Sequence, residues 1–450
     1  MSTPRTAQAI RGRPRPAADF SVRSLAGPLT GEDPGRPEDL RAHRDRLGHR
    51  TDPRQGPRPA ALLAALADAD LRGRGGAGFP TAVKLTTVRD HALASDSLPI
   101  AVANGEEGEP GSVKDRYLLR CRPHLVLDGL AHACRIIGAR RAHVYVSDPA
   151  AASAVRAALA ERLAVDPRPQ TVIDVAEVEH SYVAGEESAA VRFLDGGPAL
   201  PTAKPPRPYQ QGVGGAPTLV SNVETLAQIA LVAAGLPADT RLVTVTAAAG
   251  GFGLVQELHE VPRGTSLREL ATAQLGAAGA GRIQAVMVGG LFGGIHRSDA
   301  LDLLIDPPSG APAGSRAAPG CAAIRLIGPE ECPVTVVAEA LAYLAEQSSR
   351  QCGVCVSGTR ALSETLARAA RSAATREDRD ALTRWARLLP GRGACGLLDA
   401  AAGLAGTLAA NFPALLDAHI GARGTPQSCI NCRSPQPVPD QDRQHPGRRS

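Results

Sequence analysis

The sequence predicts an α/β protein: a doubly wound parallel sheet first, then a small β-grasp-like module, then a helical bundle. Three observations lead there. Between residues 98 and 175, apolar runs of strand length alternate with stretches of helical periodicity, the pattern that builds parallel sheets. Near Arg241 the spacing changes to short strands around a Gly-Gly turn. Beyond residue 330 long helical patterns take over, and these pack as bundles.

Taken in order, residues 1–55 are rich in Arg, Pro and Asp without apolar periodicity and read as a loosely attached or disordered arm. Residues 56–238 carry the parallel sheet. A short helix is expected over Ala60–Ala69, then a glycine loop, then a helix from Thr81. Leu98–Ala103, Ala142–Val146 and Thr171–Val175 read as strands, with helices at His124–Ile137 and Ala150–Leu163. In residues 239–320, Leu242–Ala247, Glu257–Val261 and Gln284–Val288 are strands around a helix that starts near Ser266, and Pro307–Pro319 is a linker. Residues 321–421 begin with a strand, Ala322–Leu326. Helices then follow at Val334–Glu346, Arg360–Ser372, Arg376–Leu388 and Ala394–Ala409. Residues 422–450 read as a disordered polar tail containing Cys429 and Cys432.

A net charge of +5, with the basic residues gathered at the two ends, does not describe a nucleic-acid-binding face. No run reaches the ~18 apolar residues of a membrane span, and no apolar segment follows the basic N-terminus as in a secretory signal. The expected location is therefore cytoplasmic, or peripheral to a membrane complex. Of 50 basic side chains only Lys84, Lys114 and Lys204 are lysine. A chain so biased toward arginine keeps lysine where a flexible point charge is required. Asparagine is almost as rare, and Asn104 and Asn222 stand out for the same reason.

Those five residues lie in or beside three motifs. The first runs from Leu71 to Lys84, with Gly73, Gly75, Gly76 and Gly78 ahead of a helix start. Such a loop alone reads as a turn; beside a helix N-terminus and a rare lysine it reads as a phosphate cradle. The second, from Ala103 to Arg116, places Glu106, Glu107 and Glu109 directly after a strand, where open α/β sheets bind ligands. Carboxylates there suit sugar hydroxyls and a cationic ring rather than phosphate; a solvated acidic turn is the plainer alternative. The third comprises Tyr182, Gly185, Glu186 and Glu187, with Lys204-Pro-Pro-Arg207 and Pro217–Thr225 downstream.

In order and spacing these motifs resemble the NADH-binding, FMN-bearing subunit of respiratory complex I, the F-type flavoproteins of NADH:quinone oxidoreductases. The diaphorase subunits of NAD-linked hydrogenases and formate dehydrogenases share the likeness, which covers roughly residues 60–420. It implies a Rossmann-like FMN-binding domain, an SLBB-like β-grasp module and a bundle carrying an iron–sulfur site. It also implies an FMN held by Gly73, Gly75, Lys84, Asn104, Glu106 and Tyr182, closed in by Gly185, Glu186, Val220, Asn222 and Thr225. Gly76 and Glu107 complete the glycine and acidic loops. NADH would stack over the flavin, touching Phe79, Glu109, Glu187 and Lys204. Leu85, Thr87 and Arg207 stand where the family has aromatic rings, so the adenine clamp is weakened, and Arg207 opens the possibility of NADPH.

The fourth motif, Ser348-Ser-Arg-Gln-Cys352-Gly-Val-Cys355, is followed some forty residues on by Cys395. The resemblance implies a [4Fe–4S] cluster on four thiolates. Aligning on Gly358-Thr359 places Ser349 at the first ligand position, with Cys352, Cys355 and Cys395 in the others, so a degenerate three-iron form is an alternative. A zinc site on the same thiols, inert cysteines, and completion by Cys429 or Cys432 also stay open. The function expected is electron transfer from NAD(P)H to FMN, on to the cluster, and out to a partner such as a ferredoxin or another redox subunit. The competing reading is a non-catalytic flavin- or nucleotide-binding assembly subunit.

Overall fold

The computed structural model describes residues 21–22, 27–48, 51–248, 253–307, 314, 317 and 320–419. Cys429 and Cys432, and most of the linker after Pro307, lie outside the described residues.

Chain order runs from strand β1 (Ser21–Val22) through helices α1 (Leu40–Leu47), α2 (Pro59–Asp68) and α3 (Thr81–Ala94) to strand β2 (Ile100–Asn104). Helices α4 (Lys114–Cys121) and α5 (Pro123–Ile137), β3 (Arg141–Val146), α6 (Pro149–Val165) and β4 (Val172–Glu177) follow. Helix α7 (Glu187–Leu194), β5 (Thr218–Asn222) and α8 (Val223–Ala233) complete the first unit. Its four strands are all parallel, in the order β4-β3-β2-β5. The chain winds outward from β2 to β4 and then returns to pair β5 on the other side of β2. That reversal makes a topological switch point between β2 and β5.

Local chemistry fixes the helix limits. Asp148 accepts from the Ala151 N–H at 3.1 Å and Pro149 opens α6, a favoured N-terminal pairing. At its far end α5 closes on Gly138 in the left-handed region. Helix α5 is buried on nearly every side, and with α2, α3, α8 and the sheet it forms the largest apolar core.

The second sheet has six strands in the order β1-β7-β6-β10-β8-β9, where β6 is Thr240–Ala248, β7 Leu254–Pro262, β8 Ala285–Val288, β9 Ile295–Arg297 and β10 Ala323–Ile327. Helix α9 (Leu267–Ala280) covers it, started by a capping box between Ser266 and Glu269. Strand β10, which the sequence pattern places at the head of the bundle segment, pairs parallel to β6 and antiparallel to β8 in the middle of this sheet. Helices α10 (Pro333–Glu346), α11 (Gly353–Ala370), α12 (Arg376–Leu388), α13 (Leu397–Asn411) and α14 (Pro413–His419) share another core.

The expected loose arm needs correction. Residues 27–47 lie against both sheets' units: Arg122, 3% exposed, donates to the carbonyls of Thr30, Asp33 and Arg36, and Glu260 on β7, 2% exposed, accepts from the N–H groups of Leu29 and Thr30. His43 on α1 is buried against Asp128 of α5, 2.8 Å away. Polar anchoring of this kind has no apolar period and cannot be read from hydrophobic patterning. Helix α4 escapes the sequence pattern too, because it is one short run of mixed polarity.

Candidate functional site

The switch point sets the site. In the β2–β5 register Asn104 stands beside Asn222, so the two rare asparagines end adjacent strands where such sheets bind ligands. Asn104 Nδ2 donates to the Gly185 carbonyl at 2.8 Å, and Asn222 Oδ1 accepts from the Glu224 N–H at 3.0 Å as the N-cap of α8.

The glycine loop closes over them. Gly73 N–H donates to Phe79 carbonyl at 2.9 Å and Arg74 N–H to Thr225 Oγ1 at 2.8 Å. Gly76 and Gly78 take φ of 112° and 61°, a region glycine enters without steric cost. A Cβ on Gly75 would stand 3.3 Å from Asn222 Cβ, so the loop backbone rests directly on the strand end. Lys84, in the first turns of α3, lies 3.9 Å from Glu187. Burial holds its ammonium below the usual lysine range, Glu187 opposes that shift, and Lys204 adds to it. Phe79 is half exposed at the rim.

The three acids take different parts. Glu106 is buried; its Oε1 accepts from the Ser181 N–H at 3.2 Å and meets His180 Nδ1 at 3.1 Å, while its Oε2 has no hydrogen-bond partner among the described residues. Glu107 is turned away from the site: it accepts from Ser112 Oγ at 2.5 Å and from the N–H groups of Asp115 and Arg116, closing the first turn of α4. Burial works to raise its carboxyl, but Arg116 and Lys114 outweigh that and hold it low. Glu109 accepts from the N–H groups of Leu291 at 3.0 Å and Gly111 at 3.3 Å, and burial pushes it up to about 7.

From the other side, Tyr182 meets Tyr343 edge-on with ring centres 6.1 Å apart, and burial raises its phenol well above its usual range. Glu186 caps α7 through the N–H groups of Ser188 and Ala189 and pairs with Lys204, which also reaches Glu187 at 3.5 Å. Val220 lies in β5 and is buried. Direct contacts thus join Gly75 to Asn222, Asn222 to Asn104, Asn104 to Gly185 and Gly185 to Glu106, and a second set joins Lys84 and Lys204 to Glu187 and Lys204 to Glu186. Glu107 points away from both sets.

Some participants are not among the expected site residues. Lys114, 1% exposed, lies 2.6 Å from Asp115, 3.1 Å from Glu224 and 3.3 Å from Asn222 Oδ1, forming a charged floor under the strand ends. Its rarity as a lysine is the available signal. Arg74 and Arg241 share Asp306, tying the glycine loop to the second sheet. His180 carries no sequence signal at all.

FMN fits this arrangement. A buried acceptor without a partner is uncommon in folded proteins, and Glu106 Oε2 is such an acceptor, packed so closely on Gly185 that a Cβ there would stand 3.3 Å from it. Ribityl hydroxyls are donors of the right kind. The glycine loop with Lys84 supplies the anion-binding end.

The thiols lie at helix starts. Cys352 is the N-cap of α11, which begins at Gly353 rather than near Arg360; Cys355 sits in its first turn, and Cys395 lies just before α13. Burial raises Cys355 and Cys395, and each is raised further by neighbouring thiols, Cys352 among them. Ser348 Oγ is 3.8 Å from Cys355 Sγ, whereas Ser349, the expected fourth ligand, makes no hydrogen bond to a thiol among the described residues. Arg350 between them has φ of 57°. Among the described residues no three side chains of His, Cys, Asp or Glu are drawn into metal-holding geometry. The donors nevertheless suit iron and sulfide: three soft thiols plus one hydroxyl.

Two family models match the chain. The Nuo51 FMN-binding domain covers residues 66–231, and the NADH-ubiquinone oxidoreductase-F iron-sulfur binding region covers 335–419. The F 2 subunit of NADH-quinone oxidoreductase from Rhizobium meliloti is 30% identical over 405 residues, spanning 86% of this chain and 93% of that one. The chain belongs to the family of NADH-quinone oxidoreductase F subunits. This F-type flavoprotein also aligns with the NADP-reducing hydrogenase subunit HndC of Solidesulfovibrio fructosivorans, 30% identical over 75% of this chain and 72% of the relative. Among solved structures, an NAD+-reducing [NiFe]-hydrogenase in the H2-reduced state matches with a TM-score of 0.70 and 30% identity. That match covers 81% of this chain and 63% of the longer hydrogenase chain. The F-type chain thus has the mixed α/β fold of the hydrogenase subunit, with its FMN domain present.

Proposed function

We propose that this chain is the flavoprotein subunit of a multi-subunit oxidoreductase, taking electrons from a reduced nicotinamide dinucleotide and passing them singly to a partner redox protein. The observation that carries this reading is the convergence, at one switch point, of the glycine loop, Asn104 and Asn222 with the unpartnered Glu106 oxygen. FMN, when bound, supplies hydride acceptance and the conversion of a two-electron donor into single-electron steps. The chain's own residues bind and orient. The loop from Gly73 to Gly76 and Lys84 hold the phosphate, Asn104 and Glu106 the ribityl chain, and Tyr182 and Gly185 the ring. Glu109, Glu187, Lys204 and Phe79 receive the dinucleotide. No acid or base is needed for the hydride step itself, which asks for positioning. Cys352, Cys355 and Cys395, with a serine hydroxyl, would hold the iron–sulfur cluster.

Residues 56–238 would form the FMN domain and 239–320, with strand Ala323–Ile327, a β-grasp SLBB-like module; the bundle carries the thiols. Among the described residues no helix is long and apolar enough to cross a membrane. The same reading puts the protein in the cytoplasm, or peripherally on a membrane complex, with a ferredoxin or another redox subunit as acceptor.

A specific observation favours the non-catalytic alternative for the nucleotide half. Leu85 is 1% exposed within the apolar core and so offers no surface to adenine, and Thr87, half-buried with its hydroxyl on the Val83 carbonyl, offers no ring to stack on. Stopped-flow mixing of the FMN-loaded chain with NADH and with NADPH decides the matter. Bleaching by NADH, weaker than in a relative with its rings intact, is the expected result; faster bleaching by NADPH assigns Arg207 to a 2′-phosphate. No bleaching by either donor overturns the catalytic reading.

A further inference from the structure

Oxidising a nicotinamide through a flavin moves protons as well as electrons. A hydride delivered by NADH brings two electrons and one proton, and full reduction of the flavin takes up one more proton. Reoxidation by two single-electron transfers returns two electrons to the acceptor and two protons to water, so the sum is NADH to NAD+, one proton and two electrons. The site is open where the dinucleotide would enter, but Glu106 on its inner wall is shielded from solvent, and protons handled there need a path to water.

One pair of side chains reaches both sides. Glu106 is fully shielded in its side chain, and its Oε2 is buried without a hydrogen-bond partner among the described residues, packed close against Gly185. Its Oε1 lies 3.1 Å from Nδ1 of His180, whose side chain is 46% exposed. We propose that Glu106 and His180 form the proton path between the flavin-binding cleft and solvent, with Oε2 facing the cofactor and the imidazole facing water. The inference rests on the reading of this cleft as an FMN site.

The surroundings agree with that role. The hydrogen bond to Glu106 raises the imidazole above its usual range, partly offset by burial. Of the other charges that act on it, Arg116 lowers and Glu107 raises it, and both are engaged with each other at the start of α4. Two phenols lie near Glu106, and neither supplies a competing exit: Tyr145 donates to the Ala184 carbonyl at 3.0 Å, and Tyr343 to the Gly108 carbonyl at 3.4 Å. Glu106 is the group that would touch the cofactor, and His180 acts through it as a positioning and relaying partner. A histidine is suited to this, since it exchanges protons with water near neutral pH.

The test uses the full chain in two stages. In the apo-protein, an NMR titration of the His180 ring should show a raised pKa that falls toward the ordinary value in Glu106→Gln and moves when FMN is added. The FMN-loaded protein is then photoreduced and reoxidised with ferricyanide, a one-electron acceptor, across pH. His180→Ala should reoxidise at least about tenfold more slowly, lose the pH dependence, and recover with imidazole in the buffer. His180→Gln, which keeps a hydrogen-bonding side chain beside Glu106, should be slow as well. A wild-type rate and pH profile in His180→Gln, or no rescue of His180→Ala by imidazole, overturns the proposal while leaving the flavin reading intact. Failure of the wild-type chain to bind FMN overturns the flavin reading itself, and the proton path with it.

Discussion

At the residue scale, the cleft depends on how near backbone can come to ligand. Gly75 already places its Cα face against Asn222, with room for no more than a strained Cβ. Gly75→Val should therefore abolish FMN retention while the fold persists, read as loss of released flavin fluorescence with unchanged circular dichroism. Glu109 yields a pH prediction. Burial raises its folded pKa to about 7 from the ordinary 4.5, so between those values the folded state holds more protons than the unfolded state. Stability must then fall as pH rises through that window. Glu109→Gln should flatten that part of the pH–stability curve and raise the melting temperature at pH 8, measured by thermal unfolding in matched buffers. The place of the cleft is legible in the sequence because rare residue types mark it: three lysines and a few asparagines in an arginine-rich chain. Glu107 misleads for the opposite reason. It stands next to Glu106 in sequence, and only the turn at Ser112 reveals that its oxygens belong to a helix start.

At the scale of elements, helix starts organise the thiols. Cys352 caps α11, Cys355 lies in its first turn, and Cys395 precedes α13, so two helix N-termini bring the three thiols to one end of the bundle. Hydrophobic periodicity puts the beginning of α11 seven residues too late, because Cys-Gly-Val-Cys-Val-Ser-Gly is too short and too small to show a period. At the serine, spacing and geometry point to different residues. Alignment selects Ser349, but the turn through Arg350 presents Ser348 to Cys355. After anaerobic reconstitution, Ser348→Ala should lower iron and acid-labile sulfide content more than Ser349→Ala does. Ser348→Cys should give a cluster steadier in air, followed by absorbance and low-temperature EPR. Equal iron in all three variants and the wild type would remove both serines from the site.

At the scale of the whole molecule, the N-terminal segment clamps the two sheets. Glu260 on β7 accepts from Leu29, Thr30 and Thr240, while Arg122 at the α4–α5 corner donates into the same segment. Glu260→Ala would strip several buried donors of their acceptor at once, and should cost about 3 kcal/mol or more. A lowered melting temperature together with faster proteolysis between residues 27 and 50 would be the readout. The parallel sheet and its switch point are legible in sequence, because βα alternation has a distinctive spacing. The clamp is not, because carbonyls gripped by one arginine leave no trace in composition.

Strand β10 has a consequence for how the protein is made. It lies between β6 and β8 and bonds to both, yet it follows them by some forty to eighty residues in the chain. Until the ribosome has delivered Ala323–Ile327, the hairpins on either side present bare edges to each other and to neighbouring nascent chains, the condition under which strands mispair. The four strands of the flavin-binding sheet, complete by Asn222, need not wait. A chain arrested before residue 327 would thus hold a finished parallel sheet joined to an open, self-associating one.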